Sequence, residues 1–215
     1  MKLYTYWRSS ASYRVRIGLN LKGLAYESVP VHLVKDGGEQ HSGQYRAINP
    51  SRQVPALQLD DGTVLTQSQA ILEYLEERHP VPPLLPGSDF ARARVRALAQ
   101  MIACDIHPLN NSKVLKYLVN DIGVDEPTRD TWYRHWIAEG FTALETMLAG
   151  ARQTKTFCHG EAPTLADVFL VPQLYNARRF KVDLAPFPTL TRIEAACLTL
   201  PAFAKAAPEQ QPDAA

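Results

Sequence analysis

Residues 54–68 read Val54-Pro55-Ala56-Leu57-Gln58-Leu59-Asp60-Asp61-Gly62-Thr63-Val64-Leu65-Thr66-Gln67-Ser68. Two short apolar runs flank Asp61-Gly62, a pair suited to the positive φ angles of a tight turn, so the stretch predicts a β-hairpin. Proline at the start of a strand is acceptable because its missing N–H lies outside the ladder. Thr66-Gln67-Ser68 then opens a helix to about Arg78, with Ile71, Leu72 and Leu75 on its buried side. Upstream, Leu3 to Tyr6 reads as a strand, Ser10 to Lys22 as a helix and Tyr26 to Val31 as a second strand. Ser9 or Ser10 can cap that helix, Ala11, Val15, Gly18 and Leu19 line one face, and Gly23 suits the position just past its end. The polar stretch from Lys35 to Pro50 supplies a loop and a short helix. The first 78 residues therefore run β-α-β-α-β-β-α, an α/β domain.

Downstream the character changes. His79 to Gly87 carries four prolines in nine residues, which cannot continue a helix and form a stiff extended connector. The expected organisation is a domain over 1–80, a proline-rich linker over 81–88 and an all-α domain over 89–215. Val95, Leu98, Ile102, Ile106 and Leu109 recur at spacings of three and four within Asp89 to Val119, and Pro127 to Leu148 is similarly periodic. Thr164-Leu165-Ala166-Asp167 has the form of a capping box before an apolar run to about Arg179. Residues 208–215 read as a polar tail.

Composition limits the function classes. The 215 residues carry 23 Lys+Arg against 22 Asp+Glu, a balance that gives no field to gather nucleic acid or an anionic membrane. No apolar run approaches the ~20 residues of a bilayer span, and arginines interrupt the first residues too early for a signal peptide. A cytoplasmic protein is expected. Cys104, Cys158 and Cys197 are widely spaced, which fits reduced core thiols better than disulfides. The histidines show no metal-binding spacing, and no Gly-rich phosphate loop or GxSxG elbow occurs, so neither a metal nor a nucleotide is expected.

The proline at 55 sits after β-α-β and before a hairpin, where thioredoxin-like domains keep a cis proline. Together with the two-domain plan, the Gln67-Ser68 helix start and the Thr164 to Asp167 box, it makes the chain resemble the glutathione transferase family along nearly its whole length. Arg8-Ser9-Ser10-Ala11-Ser12-Tyr13-Arg14-Val15-Arg16 resembles the signature of the zeta class, whose members include maleylacetoacetate and maleylpyruvate isomerases. Lys35 to Gln40, Asn49-Pro50, Asp105 to Asn111 and Asn176 to Asp183 support the same resemblance. One departure stands out: the family motif often has cysteine where this chain has Ala11.

The resemblance implies a glutathione transferase fold, glutathione as cofactor, a homodimer and a set of site residues. Lowering a thiol pKa from ~8.5 by two units takes about 2.7 kcal/mol of preferential thiolate stabilisation. Ser9 and Ser10, at a helix start where N–H groups and the dipole favour an anion, are placed to supply part of it. Ser9 is the expected donor to the sulfur, with Ser10 close behind; a plain capping role is the alternative. Val54 is expected to pair with the cysteinyl backbone while cis Pro55 holds that edge open. Gln67 and Ser68 suit the γ-glutamyl carboxylate, Gln40 and Gln53 the glycyl end, and Asn110 completes the glutathione set. Arg8 and Arg179 are expected to hold the carboxylates of an acidic enol-diketo substrate. Arg178 is read as a cation favouring a helix C-terminus. His107 and Asn111, four apart, would share a helical face toward substrate, with Pro108 bending the helix; core hydrogen bonding is the alternative for His107.

The implied reaction is cis to trans isomerisation of maleylacetoacetate or maleylpyruvate: thiolate addition to the cis double bond, rotation about the resulting single bond, and expulsion of the thiolate. No protein thiol is needed, so Ala11 is compatible with it, whereas a reductive dehalogenase of this family would need one. The two substrates share the reacting end and differ in chain length beyond the ketone. A general conjugating transferase and a non-enzymatic binding module of the same fold are the other readings. The first would favour a more apolar second domain, and the second would be expected to lose the serines or the Gln67-Ser68 pair.

Overall fold

A computed structural model describes residues 1–214. The chain divides into two compact units, residues 1–84 with the segment from Leu198 onward, and Leu85–Cys197. In the first, β1 (Lys2–Thr5), α1 (Ser10–Leu21), β2 (Glu27–Pro30), α2 (Gly43–Ile48), β3 (Ala56–Gln58), β4 (Val64–Thr66) and α3 (Ser68–Arg78) follow one another as the pattern predicts. The sheet order is β2-β1-β3-β4. β1 runs parallel to β2 and antiparallel to β3, and β3 runs antiparallel to β4.

Local chemistry explains the first helix. Ser9 is its N-cap, and the Ser9 hydroxyl accepts from the Ser12 N–H at 3.2 Å. At the other end Gly23, with φ of 65°, lets its N–H reach the Asn20 carbonyl and the Leu24 N–H reach that of Leu19, a Schellman ending. The helix is buried almost all round and not along a single face, with Arg14 and Arg16 among the enclosed residues. A side chain at Gly18 would meet Leu72 Cδ2 at 2.1 Å, so glycine there permits the close approach of α1 and α3.

A buried ion pair fastens the start of the connector to this unit. Lys22 Nζ bonds Glu76 and also donates to the carbonyls of His79 at 2.7 Å and Pro82 at 2.8 Å. The same Glu76 accepts from the Leu84 N–H at 2.9 Å. Removing one partner of such a pair strands a charge in low dielectric. Lys22→Met is therefore expected to lower unfolding free energy by about 3 kcal/mol in urea titration; a loss within error of zero would show that water reaches Glu76.

The second unit contains α4 (Asp89–Gln100), α5 (Ser112–Tyr117), α6 (Glu126–Ala149), α7 (Leu165–Arg179) and most of α8 (Pro188–Leu198), with no strand. Its buried apolar residues include Val95, Leu98, Ile102, Ile137, Phe141, Phe169 and Leu174. The capping box at α7 is formed, with buried Asp167 accepting from the Thr164 N–H and hydroxyl and from the Cys158 N–H. Among the described residues no helix is long and apolar enough to cross a membrane.

Three expectations change. The helical run from Asp89 to Val119 is broken: after α4 the chain passes through a π-helical stretch, Met101–Ile106, and a 3-10 turn, His107–Asn110, before α5 begins. Apolar spacings of three and four are compatible with all three helix types, so periodicity alone cannot find the break. The polar tail is not detached: α9 (Pro201–Ala204) packs on α1, Pro208 is buried, and the segment from Leu198 onward belongs with the first unit, not the helical one. Of the three cysteines only Cys158 and Cys197 are core thiols; Cys104 is exposed.

Candidate active site

Strand polarity collects the predicted glutathione residues. The pairings Tyr4↔Ala56 and Ala56↔Thr66 put the end of β1, the start of β3 and the end of β4 in one row. Thr5↔Pro30 brings the end of the parallel β2 to the same edge. The segments that leave the sheet there are the turn before Ser9, the Gln53-Val54-Pro55 step, the Gln67-Ser68 helix start and the loop that carries Gln40. Loops on a rigid sheet are the usual carriers of binding chemistry.

Each segment is held by identifiable groups. The Val54–Pro55 bond is cis, and Val54, two residues before the ladder begins at Ala56, is buried in a cluster with Tyr6, Val31 and Tyr45, against which Trp7 and Leu33 pack. The preceding carbonyl, that of Gln53, accepts from Tyr45 Oη at 2.6 Å and Asn49 Nδ2 at 2.7 Å. Burial pushes the Tyr45 pKa up to about 12, so its phenol stays protonated and donates. Asn49 Oδ1 meanwhile accepts from the Ser51 N–H and hydroxyl. The main chain just before Val54 is thus fixed by two side chains.

Gln67 takes φ of 68° and ψ of 115°, a conformation that costs a non-glycine residue about 1–3 kcal/mol and clusters at ligand clamps. Ser68 is buried at the start of α3, and its hydroxyl accepts from Arg14 Nη1 at 3.4 Å. A buried cation therefore lies behind the predicted carboxylate seat. Gln40 is also buried; its Nε2 donates to the Leu33 carbonyl at 3.4 Å while its Oε1 is enclosed without a protein partner. At the turn before α1, Ser9 uses one hydroxyl lone pair as the helix cap, which leaves its O–H to donate elsewhere. Arg8 is half-buried with its guanidinium 5.2 Å from the Trp7 ring centroid, a cation–π distance.

These donors and enclosed polar atoms fit a small peptide that bears a thiol and two carboxylates. Residues 8–78 match the family model for the glutathione S-transferase N-terminal domain, and residues 130–208 match that for the C-terminal domain. The chain belongs to the glutathione S-transferase family. A probable maleylacetoacetate isomerase of Vibrio cholerae serotype O1 is 52% identical over 213 residues, 99% of this chain and 97% of that protein. A solved holo structure of maleyl pyruvate isomerase, described as a bacterial zeta-class member, superposes with a TM-score of 0.96 at 49% identity over the whole of both chains. Maleylacetoacetate isomerase of Methylobacterium extorquens AM1, solved with malonate and glutathione bound, gives a TM-score of 0.96 at 45% identity, again over all of both chains.

In this glutathione S-transferase the second unit's candidates separate. Arg179 ends α7, exposed, with its guanidinium 5.4 Å from the Phe180 ring centroid, and Phe180 stacks on Tyr133 at 3.5 Å. Arg178 pairs with buried Glu194 at 2.6 Å, a partner more specific than the helix terminus expected for it. Burial raises the Glu194 pKa and the guanidinium opposes it. His107 and Asn111 do not share a helical face, because a 3-10 turn separates them and Asn111, at φ −65° and ψ 139°, is the cap of α5. Asn110 is buried with Nδ2 donating to the Tyr133 carbonyl and Oδ1 accepting from Gln173 Nε2. Its amide is committed to the helical core, which leaves its expected glutathione role without support.

Sequence reasoning passed over Arg14, Tyr45 and Asn49 as site supports. The signal for Arg14 was present: a cation repeated within an otherwise apolar helix, Arg14-Val15-Arg16-Ile17, must find buried partners.

Proposed function

We propose that this chain is a glutathione-dependent cis–trans isomerase of maleylacetoacetate or the shorter maleylpyruvate. The observation that carries the proposal is the convergence of Ser9, Val54, Ser68 and the Gln40 loop at one edge of the sheet. Full-length identity near one half to proteins named for these two activities supports it. When bound, glutathione supplies a thiolate that adds to the cis double bond and leaves again after rotation.

The protein's own groups do the rest. Ser9 would donate a hydrogen bond from its hydroxyl to the thiolate sulfur, and the first-turn N–H groups and dipole of α1 favour the same negative charge. The Val54 edge orients the cysteinyl backbone, and Ser68, backed by Arg14, receives the γ-glutamyl carboxylate. Gln40 and the Gln53 region serve the glycyl end. Ser10 follows Ser9 at the same helix start, and the reaction needs no thiol of the protein at Ala11. Arg8 and Arg179 are assigned to substrate carboxylates, with His107 kept as a substrate contact. The protein is proposed to work in the cytoplasm as a homodimer, which sedimentation would test.

Arg8→Ala and Arg179→Ala are each expected to raise substrate KM about tenfold or more, as loss of a charge-assisted hydrogen bond implies, with little change in KM for glutathione. Equal effects on both constants would contradict the assignment. The reaction itself is tested by product identity. With either cis acid and glutathione, NMR should show the trans isomer of unchanged mass; a glutathionyl adduct as sole product would replace the isomerase with the conjugating reading.

A further inference from the structure

The turn that carries Ser9 is held by residues far away in sequence. Between β1 and α1 the chain closes with the Ser9 N–H on the Tyr6 carbonyl at 3.0 Å. The Trp7 N–H donates to Asp213 Oδ2 at 2.9 Å, from a residue 206 positions away. The Trp7 carbonyl accepts from Arg16 Nη2 at 2.9 Å, and the Tyr6 carbonyl from Arg16 Nη1 at 3.4 Å. Arg16 is fully buried and also bonds Thr5 Oγ1 at 3.1 Å and the Ala206 carbonyl at 3.0 Å. Its pKa is pulled to about 10 by burial, with Tyr26 and Asp213 opposing the shift, so it stays charged at neutral pH. The other Asp213 oxygen, Oδ1, is enclosed without a hydrogen-bond partner. A packing contact alone does not require a carboxylate with one enclosed oxygen and the other aimed at an amide two residues before Ser9.

We propose that Asp213 and Arg16 are positioning residues that hold the Trp7-Arg8-Ser9 turn from both sides and so fix the Ser9 hydroxyl toward the thiol. The proposal rests on the reading of Ser9 given above. A hydroxyl displaced by a fraction of an ångström loses much of its value to a developing or resident anion. Asp213 acts through the main chain of the turn, and Arg16 links that turn to the segment around Ala206.

The test compares wild type, Asp213→Ala, Asp213→Asn and a chain ending at Pro212. Three quantities are read: thiol pKa of bound reduced glutathione by thiolate absorbance, kcat at saturating glutathione, and amide hydrogen exchange over residues 7–10 without ligand. Asp213→Ala and the shortened chain should raise the thiol pKa by about one unit, lower kcat at neutral pH about tenfold and speed exchange of the turn by at least as much. Asp213→Asn keeps an oxygen for the Trp7 N–H and should recover most of all three. A fall in thermal stability with thiol pKa, kcat and turn exchange unchanged would overturn the proposal and leave a packing role only. Absence of any glutathione thiolate on the wild type would refute the Ser9 reading, and turn exchange would still decide whether Asp213 pins the turn.

Discussion

Ser9→Gly is expected to lower kcat about a hundredfold at neutral pH and to raise the pKa of the bound glutathione thiol, with KM for the substrate nearly unchanged. The magnitude follows from removal of one preorganised donor to a reacting anion, commonly worth about 2.7–4 kcal/mol. Glycine is the informative replacement because Ser9 has a second task. Its oxygen caps α1 through the Ser12 N–H, and glycine at an N-cap costs only a few tenths of a kcal/mol where alanine costs about 1 kcal/mol. Activity loss in a variant that melts like wild type therefore reports the donor. Ser9→Asp sharpens the comparison: it keeps the cap acceptor but sets a carboxylate against the thiolate, so it should fold well and be slower than Ser9→Gly. Wild-type kcat in Ser9→Gly would transfer the role to Ser10.

Ser68→Ala should move a different constant. Its hydroxyl lies at the start of α3, buried, beside Arg14, where a hydrogen bond to a charged group is worth about 1.5–3 kcal/mol. KM for glutathione is expected to rise between about tenfold and a hundredfold, with kcat at saturating glutathione within about twofold of wild type. Steady-state kinetics with glutathione varied at fixed cis acid measures the split. A fall in kcat with glutathione KM unchanged would place Ser68 outside the γ-glutamyl seat. The contrast with Ser9 follows from the proposed roles: α1 begins at the proposed thiol site, and α3 at the proposed seat of the γ-glutamyl carboxylate.

Much of this arrangement is legible in the amino-acid sequence. Asp61-Gly62 between apolar runs points to the hairpin, Ser9 to the helix cap and Gly23 to its ending, and each is found, the hairpin loop with Gly62 at positive φ and Asp61 not. The element order is readable too; the one parallel and two antiparallel pairings that set Ser9, Val54 and Ser68 at a common edge come from the fold. The parts that were not readable share a cause. The π-helical and 3-10 stretches at 101–110 keep the same apolar spacing as an α-helix, so His107 and Asn111 are read onto a shared helical face that they do not have. The segment after 198 is attached through carbonyls and one carboxylate, the Arg16 to Ala206 and Trp7 to Asp213 bonds. Main-chain acceptors leave no mark in composition, and a polar sequence bonded this way looks like a free tail. Arg14 and Arg16 show the reverse case, where an unexpected residue type in an apolar helix marks buried partners that only the fold can name.

In the proposed reaction glutathione is a catalyst that is returned unchanged. The most direct measurement incubates the protein with one equivalent of glutathione and a hundredfold excess of the cis acid, then counts trans product and free thiol at completion. Conversion of the whole excess with the thiol recovered in full is the predicted result. Product that stops at one equivalent of glutathione, with the thiol lost as an adduct, would contradict it.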